Sequence, residues 1–373
     1  MSEGINEIGT TFTDDDRRFM ARALELSRRN MGQTDTNPSV GCVIVRDGEV
    51  VGEAVTAKGG RPHAEAQALV IAGEQASGAT AYVTLEPCSH FGRTPPCANA
   101  LVNAGVARVV IAFADPDLRV SGRGTTILGE AGIKVETGLM EDEAKRVMAG
   151  YLTRQTKGRP HVTLKLAVSA DGMLGRRGEE IAITGAEVKA EVHRLRAVSN
   201  AILVGAGTAL SDDPKLTVRL PGFEGNSPTR IVLDGKLTIP LESKLVETAR
   251  DVPVIVVAAP SALHDMLGNP TRRHRLLREA GVETMEATSL DILLAVLAMR
   301  NMSTLLVEGG AIVAKAFLDA GLVDHIVLFQ GTGTIGEGGL ESPLTPSDMP
   351  AGFRLIREEA FGPDRMFEYE RSS

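Results

Sequence analysis

His63, Glu65, Cys88 and Cys97 are the residues of this 373-residue chain whose types and order point to chemistry. They stand in three short runs, His63-Ala64-Glu65, Pro87-Cys88 and Pro95-Pro96-Cys97. One imidazole and two thiolates form a soft donor set suited to zinc. Three protein ligands leave the fourth tetrahedral position to water, which is the catalytic arrangement. Glu65, just after His63, reaches such a water without taking a coordination site. Zinc brings the pKa of its water down to about 7, and an adjacent carboxylate takes the proton and hands it to a leaving amine. A structural zinc asks for four protein ligands instead, and His90 is the residue that would supply the fourth. Cys42, inside an apolar run, reads as a small buried hydrophobe.

An H-x-E run followed by P-C is the logic of zinc nucleobase deaminases, which continue as P-C-x-x-C. This chain departs from that spacing, because SHFGRTPP separates Cys88 from Cys97. The positions remain physically sensible. Glu86-Pro87-Cys88 ends a strand, and Pro95-Pro96-Cys97 opens a helix whose amide dipoles stabilise a thiolate. His63 likewise opens a helix.

The elements that must position these residues are legible around them. Thr13 followed by Asp14, Asp15 and Asp16 reads as a helix start, and Phe19, Met20, Ala23 and Leu24 recur at helical spacing. Residues 41–45 (GCVIV) read as a strand, with Asp47-Gly48 as a hairpin turn into a second strand near Val50. A helix over 63–72, a strand over 81–85, a helix over 98–104 and a strand over 108–112 complete an alternating run. Such alternation predicts a layered α/β domain with a largely parallel sheet. The charged segment 141–147 reads as a helix, and TKGRP (156–160) as a breaker-rich link. Beyond it, strands are expected at 161–168, 201–204, 230–233, 255–259, 304–308 and 325–329. Two α/β domains follow, over 1–155 and 156–373.

In the second domain two strand–glycine–helix junctions stand out, ILVGAGTAL (202–210) and LLVEGGAIVAKAF (305–317). Each exposes backbone N–H groups beside a positive helix end, a geometry that binds phosphate. Gly205-Ala206-Gly207 gives only G-x-G, with Leu210 where a dinucleotide fingerprint has its last glycine. Tight packing, a mononucleotide or a sugar phosphate explains the pattern as well as a dinucleotide does.

Composition narrows the classes. Asp+Glu 48 against Lys+Arg 40 gives a net charge of −8, which disfavours the basic stripe of a nucleic-acid-binding surface. Three cysteines exclude a disulfide scaffold. The polar, acidic start MSEGINEIGTTFTDDDRRFM shows no secretory signal, and apolar runs such as 252–259 fall short of the roughly 18 residues of a membrane span. A cytoplasmic protein with no membrane or nucleic-acid partner is expected.

The runs TNPSVGCVIV (36–45), GGRPHAE (59–65), TLEPCSHFGRTPPC (84–97) and DPDLRVSGRG (115–124) closely resemble the bifunctional deaminase–reductases of riboflavin biosynthesis. VTLKLAVSADG (162–172), LVGAGT with the DDPxLTVR run (212–219), and VEGG (307–310) match the reductase half. The long cysteine spacer is what this family shows. The resemblance implies a cytidine-deaminase-like three-layer domain followed by a dihydrofolate-reductase-like domain. The first would deaminate 2,5-diamino-6-(5-phosphoribosylamino)pyrimidin-4-one, and the second would use NADPH to reduce the ribosyl group to ribityl. Carried over by motif, His63, Cys88 and Cys97 hold one zinc, Glu65 shuttles the proton, and Asn37 lines the base pocket; on sequence alone Asn37 is equally a turn former before Pro38.

For the second domain the resemblance gives Ala167, Thr208, Asp212, Gly310, Ala311, Ile312, Val313, Ala314, Lys315 and Ala316 to NADPH. It gives Ser169, Arg196, Leu216, Arg219 and Glu308 to the substrate. Arginines suit a ribose phosphate because the guanidinium fork binds it bidentately; the alternative for Arg196 is a solvated helix face. Lys165 and Asp171 are the candidates for the proton that ring opening requires. Thr56 stands where many relatives have a histidine, Ala182 where they often have a tryptophan, and Glu180 where a serine is common; residues 175–183 therefore carry no assigned roles. The expected partners are the small phosphoribosyl pyrimidine and further copies of the chain, as a homo-oligomer. Two rivals remain. A deaminase of free bases, nucleosides or tRNA conflicts with the acidic charge, and a zinc-stabilised nucleotide-binding regulator has no use for Glu65.

Overall fold

Thr13 begins the first helix, α1 (Asp14–Arg28), through a reciprocal capping box: its Oγ1 accepts the Asp16 N–H at 3.1 Å, and the Asp16 carboxylate accepts the Thr13 N–H at 2.9 Å. Phe19, Met20, Ala23 and Leu24 then fall on one buried face, as their spacing predicts. The computed structural model describes residues 12–91, 95–117, 121–179, 181–223 and 225–372. By contacts the chain divides into two units, Met1–Lys157 and Gly158–Ser373.

In the first unit α1 is followed by β1 (Gly41–Arg46), β2 (Glu49–Val55), α2 (Ala64–Ala72), β3 (Thr80–Val83), α3 (Cys97–Asn103), β4 (Arg108–Ile111), α4 (Arg123–Glu130), β5 (Lys134–Thr137), α5 (Glu141–Val147) and α6 (Ala149–Lys157). The sheet order is β2-β1-β3-β4-β5. It is mixed rather than largely parallel: β1 runs antiparallel to β2 and β3, while β3, β4 and β5 are parallel. The reason is the Asp47-Gly48 turn, whose central residues both sit at positive φ and fold β2 straight back on β1. The crossover through α2 then returns parallel to β2 on the far side of β1.

Asp16 does more than cap. It is 3% exposed, and its carboxylate also accepts the Tyr82 hydroxyl at 2.8 Å and Arg108 at 2.6 and 3.2 Å. The Arg108 Nε meanwhile donates to Glu136 at 2.5 Å. One buried carboxylate thus ties α1 to β3, β4 and, through Glu136, β5. Burial opposes its charge, but Arg108, the Thr13 N–H and Tyr82 outweigh that and hold the carboxyl well below the usual aspartate range.

The second unit contains β6 (His161–Val168), β7 (Met173–Arg176), α7 (Ala186–Ala197), β8 (Ala201–Gly205), α8 (Ala206–Asp212), β9 (Thr229–Leu233), α9 (Lys244–Glu247), β10 (Val254–Ala258), α10 (Pro260–Leu263), α11 (Arg272–Glu279), β11 (Glu283–Glu286), α12 (Leu290–Met299), β12 (Thr304–Glu308), α13 (Ala311–Asp319), β13 (His325–Gln330), β14 (Gly339–Glu341), β15 (Phe353–Phe361) and β16 (Asp364–Arg371). Its 9-stranded sheet has the order β11-β10-β9-β8-β12-β6-β13-β16-β15. From β11 to β13 the strands are parallel, and the C-terminal hairpin β15–β16 closes the sheet antiparallel. Apolar runs such as VIVVA are buried throughout because helices cover both faces of a parallel sheet. Strand β12 enters between β8 and β6, and such a switch in strand order opens a crevice at the carboxyl ends, where ligands of α/β sheets bind. No helix among the described residues is long and apolar enough to cross a membrane.

Asp16→Asn is expected to cost the first unit about 2 kcal/mol, because it leaves the half-buried Arg108 with only Glu136 as a charged partner. Since the folded pKa is depressed, the wild-type contribution is complete above the unfolded value of about 4 and is lost as pH falls toward the folded value. Urea unfolding at pH 7 and pH 3.5 should show the variant less stable than wild type, with the gap narrowing at the lower pH.

Candidate active sites

His63 is the N-cap of α2, Cys88 lies in the turn that follows β3, and Cys97 is the first residue of α3. The His63 Nδ1 stands 3.6 Å from Cys88 Sγ and 3.4 Å from Cys97 Sγ, and the ligand atoms of all three gather within 4.8 Å. The Cys97 N–H donates to Cys88 Sγ at 3.3 Å, so the start of α3 supplies the thiolate-favouring amide that the Pro-Pro-Cys run implied. The Cys97 side chain lowers the Cys88 thiol, with His63 adding to it, while Cys97 itself is raised by the neighbouring Cys88 sulfur and by burial. The two sulfurs therefore cannot both ionise unaided. A dication between them removes that conflict, and in this sense the donor set fits zinc. His90 is not in the cluster, so no fourth protein ligand closes the site among the described residues.

Glu65 lies in the first turn of α2 and is 3% exposed. Burial, and then the charge on Cys88, push its carboxyl up from the ordinary glutamate range. Cys42 is wholly buried on β1, its thiol raised first by burial and then by Glu65, as suits a small apolar neighbour of that carboxylate. Asn37 is half-buried, its carbonyl accepting the Thr34 hydroxyl at 2.7 Å. Its amide lies against the loop leading to His63: a Cβ added at Gly60 would fall 2.4 Å from Asn37 Nδ2. Thr56 is 1% exposed, and its Oγ1 accepts the Val40 N–H at 3.0 Å, so its side chain serves the backbone of β1.

Glu86 is the residue that sequence reasoning passed over. Its buried carboxylate accepts four main-chain N–H groups: those of Asp115 and Gly122 at 3.2 and 3.0 Å on Oε2, and those of Gly124 and Thr125 at 3.0 and 3.2 Å on Oε1. It caps α4 and ties that helix to the Pro87-Cys88 turn. The available signal was an acid directly after an apolar strand. A cavity of about 340 Å³ opens there, lined by Ser89, His90, Arg123, Thr126 and Ile127. Gly92–Thr94 and Leu118–Val120, within the SHFGRTPP and DPDLRVSG runs, lie outside the described residues, as does Glu180.

In the second unit the two glycine junctions face each other. A Cβ added at Gly205 would fall 2.7 Å from Val313 Cγ2, one at Gly309 would fall 3.0 Å from Val313 Cβ, and one at Gly310 would come 3.5 Å from Thr208 Oγ1. Thr208 and Gly310 are thus brought together at the start of α13, whose N-cap carries no side-chain hydrogen bond. This cradle, which side chains would fill, fits a pyrophosphate held by free N–H groups. Within the expected cofactor segment Val313 and Ala314 are core residues, and Lys315 pairs with Asp319 at 3.0 Å; Ala311 is half-buried, while Ile312 and Ala316 are exposed. Asp212 is exposed at the end of α8, and Ala167 on β6 is half-buried, packed against a small core cluster.

Of the expected substrate residues, Ser169 follows β6 and Glu308 ends β12, while Arg196 lies on α7 and Leu216 and Arg219 on the loop after α8. Arg196 is neither solvated nor a free fork: its Nε and Nη2 donate to Glu308 at 2.7 and 2.8 Å, and both side chains are nearly buried. Lys165 sits opposite Glu308 in the β6–β12 register, with its Nζ 5.9 Å from the Phe329 ring. Burial lowers the Lys165 pKa, Glu308 pulling the other way; burial opposes the charge of Glu308, but Arg196 wins and lowers its pKa. Arg219 is exposed, and its N–H donates to His193 Nδ1 at 3.2 Å. Leu216 is 3% exposed at a φ of 54°, so its side chain belongs to the core. Ser169 is committed to its own turn, donating to Asp171 at 2.5 Å and accepting the Met173 N–H at 2.9 Å. Asp171 is held down at about 2 by the Ser169 hydroxyl and the N–H groups of Gly336 and Ile335.

Fold and sites together define a zinc-dependent, cytidine-deaminase-like unit joined to a nucleotide-dependent reductase unit. Residues 13–113 match the family described as the cytidine and deoxycytidylate deaminase zinc-binding region, and residues 160–367 match the RibD C-terminal domain. The riboflavin biosynthesis protein RibD of Aquifex aeolicus (strain VF5) is 40% identical over 346 residues, 92% of each chain. That of Escherichia coli (strain K12) is 41% identical over 333 residues, 86% of this chain and 89% of the relative. Among solved structures, Acinetobacter baumannii RibD superposes with a TM-score of 0.84 at 37% identity, covering 96% of this chain and 99% of that one. A diaminohydroxyphosphoribosylaminopyrimidine deaminase/5-amino-6-(5-phosphoribosylamino)uracil reductase from Thermotoga maritima gives 0.83 at 33% identity with the same coverage. The chain belongs to the RibD family, the bifunctional deaminase–reductases of riboflavin biosynthesis. Its cofactors are those of the family, zinc in the first unit and NADPH in the second.

Metal analysis of the purified chain should give one zinc per chain. Cys97→Ser should hold well under half of that after dialysis against a mild chelator, while its reductase half still binds NADPH.

Proposed function

We propose that the chain takes 2,5-diamino-6-(5-phosphoribosylamino)pyrimidin-4-one, replaces the exocyclic amine at C2 by oxygen, and then reduces the ribosyl group of the product to ribityl. The observation that carries the first step is the buried Glu65 carboxyl beside the His63, Cys88 and Cys97 cluster. The names printed for the RibD relatives and for the Thermotoga maritima enzyme support the same substrate.

His63, Cys88 and Cys97 hold the zinc, which when bound supplies an activated water. Glu65 takes the proton of the attacking water and passes it to the departing amine, so that water and the aminopyrimidine become the carbonyl and ammonia. Its raised pKa suits a group that must both accept and return a proton near neutrality. Asn37 borders the base.

In the second unit bound NADPH would supply the hydride that C1 of the ribosyl group accepts. The C1–O bond to the ring oxygen opens, and that oxygen takes a proton. Asp171 is a poor source, since its turn holds it ionised. Lys165 is the better one: buried, lowered in pKa and facing Glu308. Arg196 positions Glu308, which leaves exposed Arg219 as the arginine for the ribose phosphate. Ala167, Thr208, Asp212 and the start of α13 border NADPH. Ser169 and Leu216 meet the substrate through the backbone they shape. The reading includes a homo-oligomer in the cytoplasm, where NADPH and unpaired thiols persist together.

Glu65→Gln tests the first step. The variant should keep its zinc, lose ammonia release by about a thousandfold, and still oxidise NADPH when given the deaminated intermediate. Loss of zinc and of folding instead would make Glu65 a structural residue, and unchanged ammonia release would remove it from the reaction.

A further inference from the structure

Arg219 is exposed, so its long side chain keeps its aim only if the loop beneath it holds its Cα in place. That loop, which follows α8, is built under strain. Asp213 and Leu216, neither of them glycine, have φ of 38° and 54°. Buried groups hold it there. Arg230, 0% exposed on β9, donates from Nη1 to the Lys215 carbonyl at 3.1 Å, and Leu216 sinks into the core. The Ser227 hydroxyl oxygen accepts the Val218 N–H at 3.0 Å. The chain is thus fixed up to Val218.

The next main-chain donor, the Arg219 N–H, is received by α7: His193 Nδ1 accepts it at 3.2 Å. His193 is half-buried and stands three residues before Arg196, on the same side of the helix. Arg196 is spent on Glu308 and His193 on the loop, so one helix serves both the reacting end and the arginine beyond it. Accepting an N–H requires a bare Nδ1, so the imidazole is neutral, with its proton on Nε2. Its surroundings agree. Burial and the charges of Arg196 and Arg219 lower its pKa, with Glu308 and the Thr217 carbonyl pulling the other way.

We infer that His193 is a positioning residue for the reductase reaction: by fixing the main chain of Arg219 it aims that arginine at the phosphate of the ribosyl substrate. This rests on the reading of Arg219 as the arginine for that phosphate. A guanidinium fork binds phosphate only in a defined orientation, so a loosened Cα weakens binding while the hydride step, governed at the Glu308 end, is left in place.

The test is steady-state NADPH oxidation by the full-length zinc-loaded chain given the deaminated intermediate, with KM and kcat for that compound measured separately. Arg219→Ala and His193→Ala should each raise its KM about tenfold or more, with kcat within about twofold of wild type. His193→Asn, whose side-chain oxygen takes the place of Nδ1 as acceptor, should return KM to within about twofold of wild type. The double variant of Arg219→Ala and His193→Ala should be no worse than Arg219→Ala alone. A wild-type KM in His193→Ala beside a raised KM in Arg219→Ala overturns the assignment of His193. An Asn variant as poor as the Ala one, or a loss confined to kcat, overturns it as well. A wild-type KM in Arg219→Ala instead overturns the phosphate reading on which the assignment rests.

Discussion

Two thiols and an imidazole packed within 4.8 Å of one another can lose both thiol protons together only beside a cation. The first unit is organised around keeping those donors in place. Its three donors come from separate junctions: the start of α2, the turn after β3 and the start of α3. Each donor's position is thus inherited from the packing of a helix on the sheet rather than from one stiff loop. The Asp16 carboxylate holds α1, β3 and β4 together, and Glu86 holds the Cys88 turn to α4. Both are acids whose charge is spent on the frame, leaving Glu65 as the carboxyl beside the cluster that is free to move protons.

The second unit solves a different problem with the same kinds of residue. Its crevice arises where β12 enters between β8 and β6, and its walls are mainly backbone: two glycine junctions and the free N–H groups of α13. Buried charge is gathered in one group, Lys165 within β6, Glu308 at the end of β12 and Arg196 on α7. Because Arg196 spends its fork on Glu308, the pair is a fixed dipole rather than two independent ligands. Taking either partner away leaves the other buried and unpaired, so their effects on activity will not add.

The sequence was most readable where local physics acts alone. The Thr13 cap, the Asp47-Gly48 hairpin, the buried strands and the His63, Cys88 and Cys97 set all lie where propensity and donor chemistry placed them. It was least readable where an element's identity comes from its neighbours. β5 (KVET) is an edge strand with little apolar content, and β11 and the β15–β16 hairpin are likewise edge pieces with weak patterns. The mixed pairing of the first sheet is a tertiary outcome of the hairpin at its edge. Glu86 and the Arg196–Glu308 pair depend on long-range partners, 112 residues apart in the latter case, that no spacing rule connects.

The two sites also differ in what a substitution does to them. In the first, the reacting group is oriented by side-chain donors, so exchanging one sulfur for oxygen changes both the metal and the charge balance of the pocket. In the second, the proposed reading rests the dinucleotide on main-chain N–H groups of the glycine junctions, which most substitutions leave in place, with Lys165 and Glu308 at the reacting end. In the first unit the proposed proton carrier and the metal ligands lie side by side, so a change made for one is felt by the other.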